Sequence, residues 1–472
     1  MIAPARQLAY DVIRATFEEG AHTERAFRKA AEERGLNGRE RSQAQRLAYG
    51  AVQRRGTIDA AIGCVADRPP ARLDAAVLAA VRLGVYELLF ADATPDHAAV
   101  DQAVELTRRA SAAHATGFVN AVLRRAVRER DALRDSLLSD DSSPESAAVV
   151  HSVPLWLAQT WWQELGPEDA RSLLAACNEP AETAFRVNTQ RTDRDTMLAR
   201  LRDAGVNASG APYVVIGRKK RTGSEEWPLD VPETIVVEGP TGDLAPELVA
   251  AGQLTPQSRG SALVVDLLDP QPGQHVLDLC AGPGIKTGQI AARMADRGEV
   301  ISVENDDQRA GEVAEQARRL GLHSVTVIEA DAGAAGMAPG FDRVLVDPPC
   351  SDLGTLASRP DARWRKSPRT IERLAPLQQQ LLRRGLEALR PGGLLVYSTC
   401  TISRRENEGQ IAALEEAAAA GEVPSFSVDD LGAGTAELAA PVDSRCLQLR
   451  PDRDRTTGFF ICRLRRNDAR DE

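Results

Sequence analysis

FDRVLVDPPCSDLGT, residues 341–355, holds a short apolar run, Val344-Leu345-Val346, of the kind required by a parallel strand buried on both faces. Pro348 and Pro349 cannot donate to a sheet ladder, so the strand ends before them. An acid, Asp347, and a thiol, Cys350, then stand at its carboxyl end, the edge where open α/β sheets bind their ligands. A second thiol, Cys400, closes the similar stretch GGLLVYSTC. Two cysteines at two strand ends point to thiol chemistry in one cleft.

Around these two stretches, strands are expected at 275–280, 299–304, 324–329, 342–347 and 393–399, with helical patterns between the early ones. That alternation marks βαβ units and a mostly parallel, Rossmann-like sheet. Two late strands, 446–450 and 458–464, are close enough in sequence to form an antiparallel hairpin at an edge.

The chain of 472 residues is too long for a single ordinary core. The division expected is three-part: an all-α domain over 1–138, a linker with a small α+β subdomain over 139–240, and the α/β catalytic domain over 241–466. In the first part, Val77, Val81, Leu83, Val85, Leu88 and Leu89 mark a central helix of a bundle. SDDSSPES, 139–146, reads as a polar linker, and Trp156, Trp161 and Trp162 just after it as packing residues. The pieces AFRVNT, YVVIG and TIVVEG alternate with a helical one in the small subdomain.

Composition excludes several classes. No apolar run approaches the ~20 residues of a membrane span. The amino terminus lacks the apolar core of a signal peptide. The seven cysteines include no CxxC pair, so neither a zinc ribbon nor a disulfide framework is indicated and no resident metal is expected. An odd cysteine count suits a reducing cytoplasm. The net charge of −10 is unevenly spread: residues 1–135 carry 21 Lys+Arg against 18 Asp+Glu, the rest 37 against 50. RKKR at 218–221 and the basic residues around Trp364 (Arg363, Arg365, Lys366, Arg369) are basic clusters, expected to meet RNA with the arginine-rich helix ends of the first domain. Nothing indicates the oligomeric state.

HVLDLCAGPGIKT, 275–287, sets a glycine turn between a strand and a helix, which aims backbone N–H groups at a ligand. Glu304 ends the next strand about 20 residues on, suited to ribose hydroxyls. Asp331 and Asp347 end the following two. A nicotinamide fingerprint and a Walker loop are both absent. Carboxylates at successive strand ends would repel a pyrophosphate and accept a cationic sulfonium, which favours S-adenosylmethionine.

DLCAGPGIKT, DPPCSDLGTL and GGLLVYSTCTISRREN, in this order, resemble the cofactor and double-cysteine motifs of RNA (cytosine-5)-methyltransferases. The front end, with VRLGVYELLF, PDHAAVDQAVELTRR and GFVNAVLRR, resembles the NusB-like RNA-binding domain, and RVNT at 186–189 a segment preceding the catalytic domain. Together they are similar to the small-subunit rRNA methyltransferases of the RsmB (Sun/Fmu) family. The resemblance implies that Cys280, Ala281, Gly282, Pro283, Gly284, Ile285, Lys286, Glu304, Asp331 and Asp347 contact S-adenosylmethionine. It implies that Cys400 is the nucleophile, that Cys350 assists product release, and that small-subunit rRNA is the substrate. Asp347 is also placed to hydrogen-bond the cytosine.

Three departures stand out. Ile285 replaces a glycine and should already be helical, since a β-branched residue resists positive φ. Asp352 replaces a small residue and adds negative charge to the cleft. Asp347-Pro348-Pro349 partly mimics the motif of adenine-N6 methyltransferases, but Cys350 stands where their stacking aromatic would be. An adenine-N6 methyltransferase and an RNA-binding antitermination-type factor with a vestigial methyltransferase half are the competing readings.

Overall fold

The computed structural model describes residues 2–91, 94–110, 112–210, 231–334 and 337–467. The basic cluster at 218–221 and the expected strand YVVIG lie outside them. The chain divides into two compact units: one comprises the residues to Glu179 with Leu356–Lys366, the other Pro180–Thr355 with Ser367 onward.

The first unit is helical. Its central helix, Ala75–Phe90, buries Val77, Val81, Leu83, Val85, Leu88 and Leu89 and contacts helices Pro4–Glu18, Gly38–Gln53, Arg55–Val65, Asp96–Arg109 and Thr116–Arg128. A helix buried on all sides needs the unbroken apolar composition seen there. Asp74 caps it by accepting the N–H groups of Ala76 and Val77. The break expected at 138/139 lies inside this unit, because helices Arg130–Leu138 and Pro144–Val150 pack on each other and on Arg55–Val65. Trp161 is fully buried and Trp156 and Trp162 partly so, as packing residues should be.

Leu356–Lys366 belongs to this helical unit although it interrupts the catalytic half of the sequence. Arg363 is the reason. Fully buried, its guanidinium donates to the carbonyls of Ser152 (3.1 Å), Cys177 (2.8 Å) and Leu356 (3.1 Å) and to Asn178 Oδ1 (3.0 Å). Trp364 Nε1 donates to the Val52 carbonyl at 2.7 Å, with Arg55 over the ring. The expectation that Arg363 contacts RNA is thereby corrected: its terminal donors are taken up by carbonyl and amide oxygens within the unit.

In the second unit, strands β1 (Thr183–Val187), β2 (Asn207–Gly210), β3 (Thr234–Glu238) and β4 (Leu254–Pro256) form an antiparallel sheet in the order β2-β3-β1-β4. Helices Arg194–Asp203 and Leu244–Ala250 complete a β-α-β-β-α-β unit, the split arrangement of ferredoxin-like domains.

The catalytic sheet contains β5 (His275–Asp278), β6 (Glu299–Glu304), β7 (Val325–Glu329), β8 (Phe341–Val346), β9 (Leu389–Thr399), β10 (Phe426–Val428), β11 (Leu447–Leu449) and β12 (Phe459–Arg466). Its order is β10-β12-β9-β8-β5-β6-β7, with β11 paired to β12. Pairings among β5 to β9 are parallel, and β12 runs antiparallel to β9, β10 and β11. The late hairpin is therefore present, while β10 carried no sequence expectation. Val344, Leu345 and Val346 are all fully buried. Leu345 packs with helices Arg259–Leu268 and Ile285–Arg293 on one face, Val344 and Val346 with Pro368–Ala388 and Glu408–Ala419 on the other. Among the described residues no helix is long and apolar enough to cross a membrane.

Candidate active site

The carboxyl ends of β5, β6, β8 and β9 converge, and each delivers a functional side chain. β5 ends on Asp278, buried, whose Oδ2 accepts from Thr287 Oγ1 at 2.7 Å and whose Oδ1 has no hydrogen-bond partner among the protein atoms. Burial pushes its carboxyl up to about 6, with the Thr287 hydrogen bond opposing and the nearby Asp347 charge adding to it. The turn that follows requires glycine at 282, since a Cβ there would lie 2.3 Å from Glu304 Oε2. Gly284, at φ 93°, leads directly into the helix that begins at Ile285, so Ile285 is helical as its β-branch demands.

Glu304 ends β6 and is buried. Its Oε2 accepts the Gly282 N–H at 3.0 Å, and its Oε1 accepts the N–H groups of Asn305 (3.0 Å) and Asp306 (3.2 Å). This ties the glycine turn to the next strand end. Arg309 donates to the Gly282 carbonyl. Asp331 lies two residues beyond β7, exposed, accepting the Gly333 N–H at 2.8 Å. Cys280 is held as a thiol by burial and by the charges of Asp278, Asp347 and Glu304.

A cationic cofactor with hydroxyl groups suits this pocket. The partnerless buried oxygen of Asp278 is an acceptor in want of a donor or a positive charge.

Asp347 follows β8. Its Oδ2 pairs with Lys286 Nζ at 2.5 Å, and its Oδ1 accepts from Ser398 Oγ at 2.9 Å. The two thiols meet beside it: Cys350 Sγ lies 3.3 Å from Cys400 Sγ. Cys400 donates to Asp352 Oδ1 at 3.2 Å, and Cys350 Sγ is 3.9 Å from the same oxygen. The hydrogen bond with Cys350, burial, and the carboxylates of Asp352 and Asp347 all hold the Cys400 thiol well above its usual value.

Both thiol loops are pinned from beneath by residues without an assigned part in the sequence reading. Buried Glu406 accepts the Ser351 N–H at 2.9 Å, the Ser351 hydroxyl, and Gln378 Nε2 at 3.0 Å. Ser351 Oγ and Thr401 Oγ1 are 2.7 Å apart. Asn407 accepts from Thr399 Oγ1 at 2.6 Å and donates to the Thr401 carbonyl at 3.2 Å, bracketing Cys400. Gly354 donates to the Cys400 carbonyl at 3.0 Å and passes Gly458 so closely that a Cβ would lie 2.3 Å from its carbonyl oxygen. An acid-amide pair a few residues after Cys400 was the available signal.

The RVNT segment links the small sheet to the cofactor helix. Arg186, buried on β1, donates to the Ile285 carbonyl at 2.8 Å and to Gln257 Oε1 at 2.7 Å. Burial lowers its guanidinium to about 9. Asn188 donates to the carbonyls of Gly252 (2.8 Å) and Leu320 (3.0 Å).

Sequence models of three families match this chain: the NusB family over residues 3–128, the RsmF/B-like ferredoxin-like domain over 153–217, and the 16S rRNA methyltransferase RsmB/F over 265–465. A Synechocystis sp. protein named "Probable ribosomal RNA small subunit methyltransferase B" is 31% identical, covering 98% of this chain and 99% of its own. The ribosomal RNA small subunit methyltransferase B of Escherichia coli O6:K15:H31 is 32% identical over 80% of this chain and 82% of its own. The crystal structure of PH0851 shares the fold, with a TM-score of 0.80 at 23% identity over 98% of this chain and 99% of that one. A methyltransferase homolog protein from Pyrococcus horikoshii covers 69% of this chain and 99% of its own at 26% identity and a TM-score of 0.57.

Proposed function

The chain belongs to the 16S rRNA methyltransferase RsmB/F family, S-adenosylmethionine-dependent enzymes, and from that premise we propose that it methylates carbon 5 of a cytosine in small-subunit rRNA through a covalent Cys400 adduct. What carries the reading is the 3.3 Å separation of Cys350 and Cys400 beside the Lys286–Asp347 pair.

Carbon 5 of cytosine is too weak a nucleophile to take a methyl group unaided. Cys400 Sγ adds to carbon 6; the C5=C6 electron pair shifts to C4=C5, and ring N3 takes up the proton the thiol gives up. Bound S-adenosylmethionine supplies an electrophilic methyl group. Cys280 to Lys286, Glu304, Asp331 and Asp347 hold it, with Asp278 as an added acceptor. Attack by the C4=C5 pair on the methyl carbon would form the bond to carbon 5 as the methyl–sulfonium bond breaks, its electron pair staying on the cofactor's sulfur. Cys350 assists removal of the carbon-5 proton, which restores C5=C6 and expels the Cys400 thiolate as N3 loses its proton. Asp347, fixed by Lys286 and Ser398, lies at the base-binding end of the cleft. The target base has to be unstacked to enter. The assignment of RNA binding to the helical part, expected over 1–138, and of catalysis to the α/β part, expected over 241–466, and a cytoplasmic location with the ribosomal substrate, belong to the same proposal.

The test is transfer of labelled methyl to unmodified small-subunit rRNA, followed by digestion and nucleoside chromatography. Label in 5-methylcytidine supports the proposal. Label in N6-methyladenosine, or none, overturns it.

A further inference from the structure

The sequence contains no metal-binding spacing, yet the fold assembles a metal-ligand set. Cys350 Sγ, Cys400 Sγ and an oxygen of Asp352 lie within 4.8 Å of one another. Their separations are 3.3 Å between the sulfurs, 3.2 Å from Cys400 to Asp352 Oδ1 and 3.9 Å from Cys350 to the same oxygen. We propose that these three residues form a reversible inhibitory site for a soft divalent cation, Zn2+ by its chemistry.

The geometry is close to what the ion demands. Zn–S bonds of about 2.3 Å and Zn–O bonds of about 2.1 Å in a tetrahedron put neighbouring ligand atoms about 3.6–3.8 Å apart. Each of the three separations needs to change by about half an ångström or less to match. Two sulfurs and one carboxylate favour Zn2+ over Mg2+, Ca2+ or Mn2+, which prefer oxygen ligands.

The ligands are also held in advance. Glu406, Thr401 and Gly354 tie the two loops together. The Asp352 carbonyl accepts the Thr355 N–H at 3.0 Å and the Thr355 hydroxyl at 2.8 Å, which secures the turn where Asp352 sits at φ 58°. Binding therefore orders little.

Three protein ligands leave a fourth tetrahedral position for water, the pattern of an exchangeable site rather than a closed structural one. Binding replaces two S–H bonds by two S–Zn bonds and releases two protons to solvent, with no change of oxidation state. Coordination to zinc draws charge from the Cys400 thiolate and lowers its reactivity toward carbon 6, so occupancy opposes methyl transfer. None of the residues assigned to the cofactor, Cys280 to Lys286, Glu304, Asp331 and Asp347, is among the ligands. Inhibition should thus compete with RNA and leave cofactor binding unaffected. The ligand geometry is independent of the enzymatic reading, and only the inhibitory consequence rests on it.

The test uses the full chain without RNA, kept reduced by a phosphine, and titrated with Zn2+ against a chromogenic chelator and separately with Co2+. One equivalent is expected to bind, with thiolate-to-cobalt charge-transfer absorption. Asp352→Gly, which suits the positive φ, is expected to weaken binding by about tenfold or more. Cys350→Ser and Cys400→Ser are each expected to reduce the charge-transfer band, and the double variant to abolish it, while Cys64→Ser, at an exposed thiol, changes nothing. Binding that survives the double variant, or no one-equivalent binding, overturns the site. Tight binding without loss of methyl transfer overturns the inhibition alone. Failure to form 5-methylcytidine in metal-free buffer would sink the catalytic reading while leaving the titration interpretable.

Discussion

Glu406 accepts the backbone N–H of Ser351 at 2.9 Å, joining the loop that carries Cys350 to the one that carries Cys400. The bond spans 55 residues and binds a buried carboxylate to three donors, counting the Ser351 hydroxyl and Gln378. With the Ser351–Thr401 and Gly354–Cys400 hydrogen bonds it holds the two thiol loops together.

Glu406→Ala should strand these donors and cost roughly 3 kcal/mol of stability in denaturant unfolding. Methyl transfer should fall on the order of 100-fold at a temperature where the variant is still folded, because the thiols lose their relative placement. Glu406→Gln keeps the shape and should recover most of the stability. Equal activity in Glu406→Ala and the unaltered enzyme would show that Glu406 does not position the thiols.

The two cysteines should fail differently. Cys400→Ala should abolish turnover. Cys350→Ala should accumulate a covalent enzyme–RNA adduct, visible as a slow band on a denaturing gel, since attack survives and release does not. A Cys350→Ala variant that releases product normally, beside a Cys400→Ala variant that traps RNA, would reverse the two roles.

Cys400 is kept protonated by its hydrogen bond with Cys350, by burial and by the charges of Asp352 and Asp347. Its alkylation by iodoacetamide, followed by peptide mass spectrometry, should therefore be slow at neutral pH and rise toward alkaline pH. Asp352→Asn removes one of the negative charges and should move that rise to lower pH. An unchanged profile would mean that the Asp352 carboxylate does not act on the thiol.

Asp278 makes a prediction of opposite kinds for stability and binding. Its carboxyl lies near 6 when folded against 3.8 as the ordinary value, a difference worth about 3 kcal/mol at most. Above pH 6 the buried charge opposes folding. As pH falls from 6 to 3.8 the folded state takes up a proton the unfolded state does not, and the penalty disappears. Asp278→Asn should accordingly raise stability at pH 7–8, with the gain shrinking as pH falls through this window. The same change should weaken S-adenosylmethionine binding in equilibrium dialysis. A variant that gains no stability at neutral pH would show that the burial penalty is already offset.

Periodicity and strand-ending residues were enough to place the catalytic strands, because a parallel strand buried on both faces must be apolar throughout and proline must end it. Asp347, Cys350 and Cys400 were legible for the same reason: they occupy strand ends. β10, three residues long with no alternation, had no such signature. Arg363 looked like a surface cation because a charged side chain is ordinarily solvated, and only the five-carbonyl-and-amide environment built by distant helices makes it a buried one.

The sequence by itself thus determined the order of elements, the residue types at the strand ends and, through its motifs, the family. Tertiary structure alone decided that Leu356–Lys366 belongs to the helical unit, that Glu406 and Asn407 brace the thiol loops, and that two sulfurs and a carboxylate form a metal-sized triangle. The physical reason is range. Strand burial and turns depend on near neighbours, whereas pairing partners 50 residues apart are chosen by the register of β8 against β9, which no local pattern encodes.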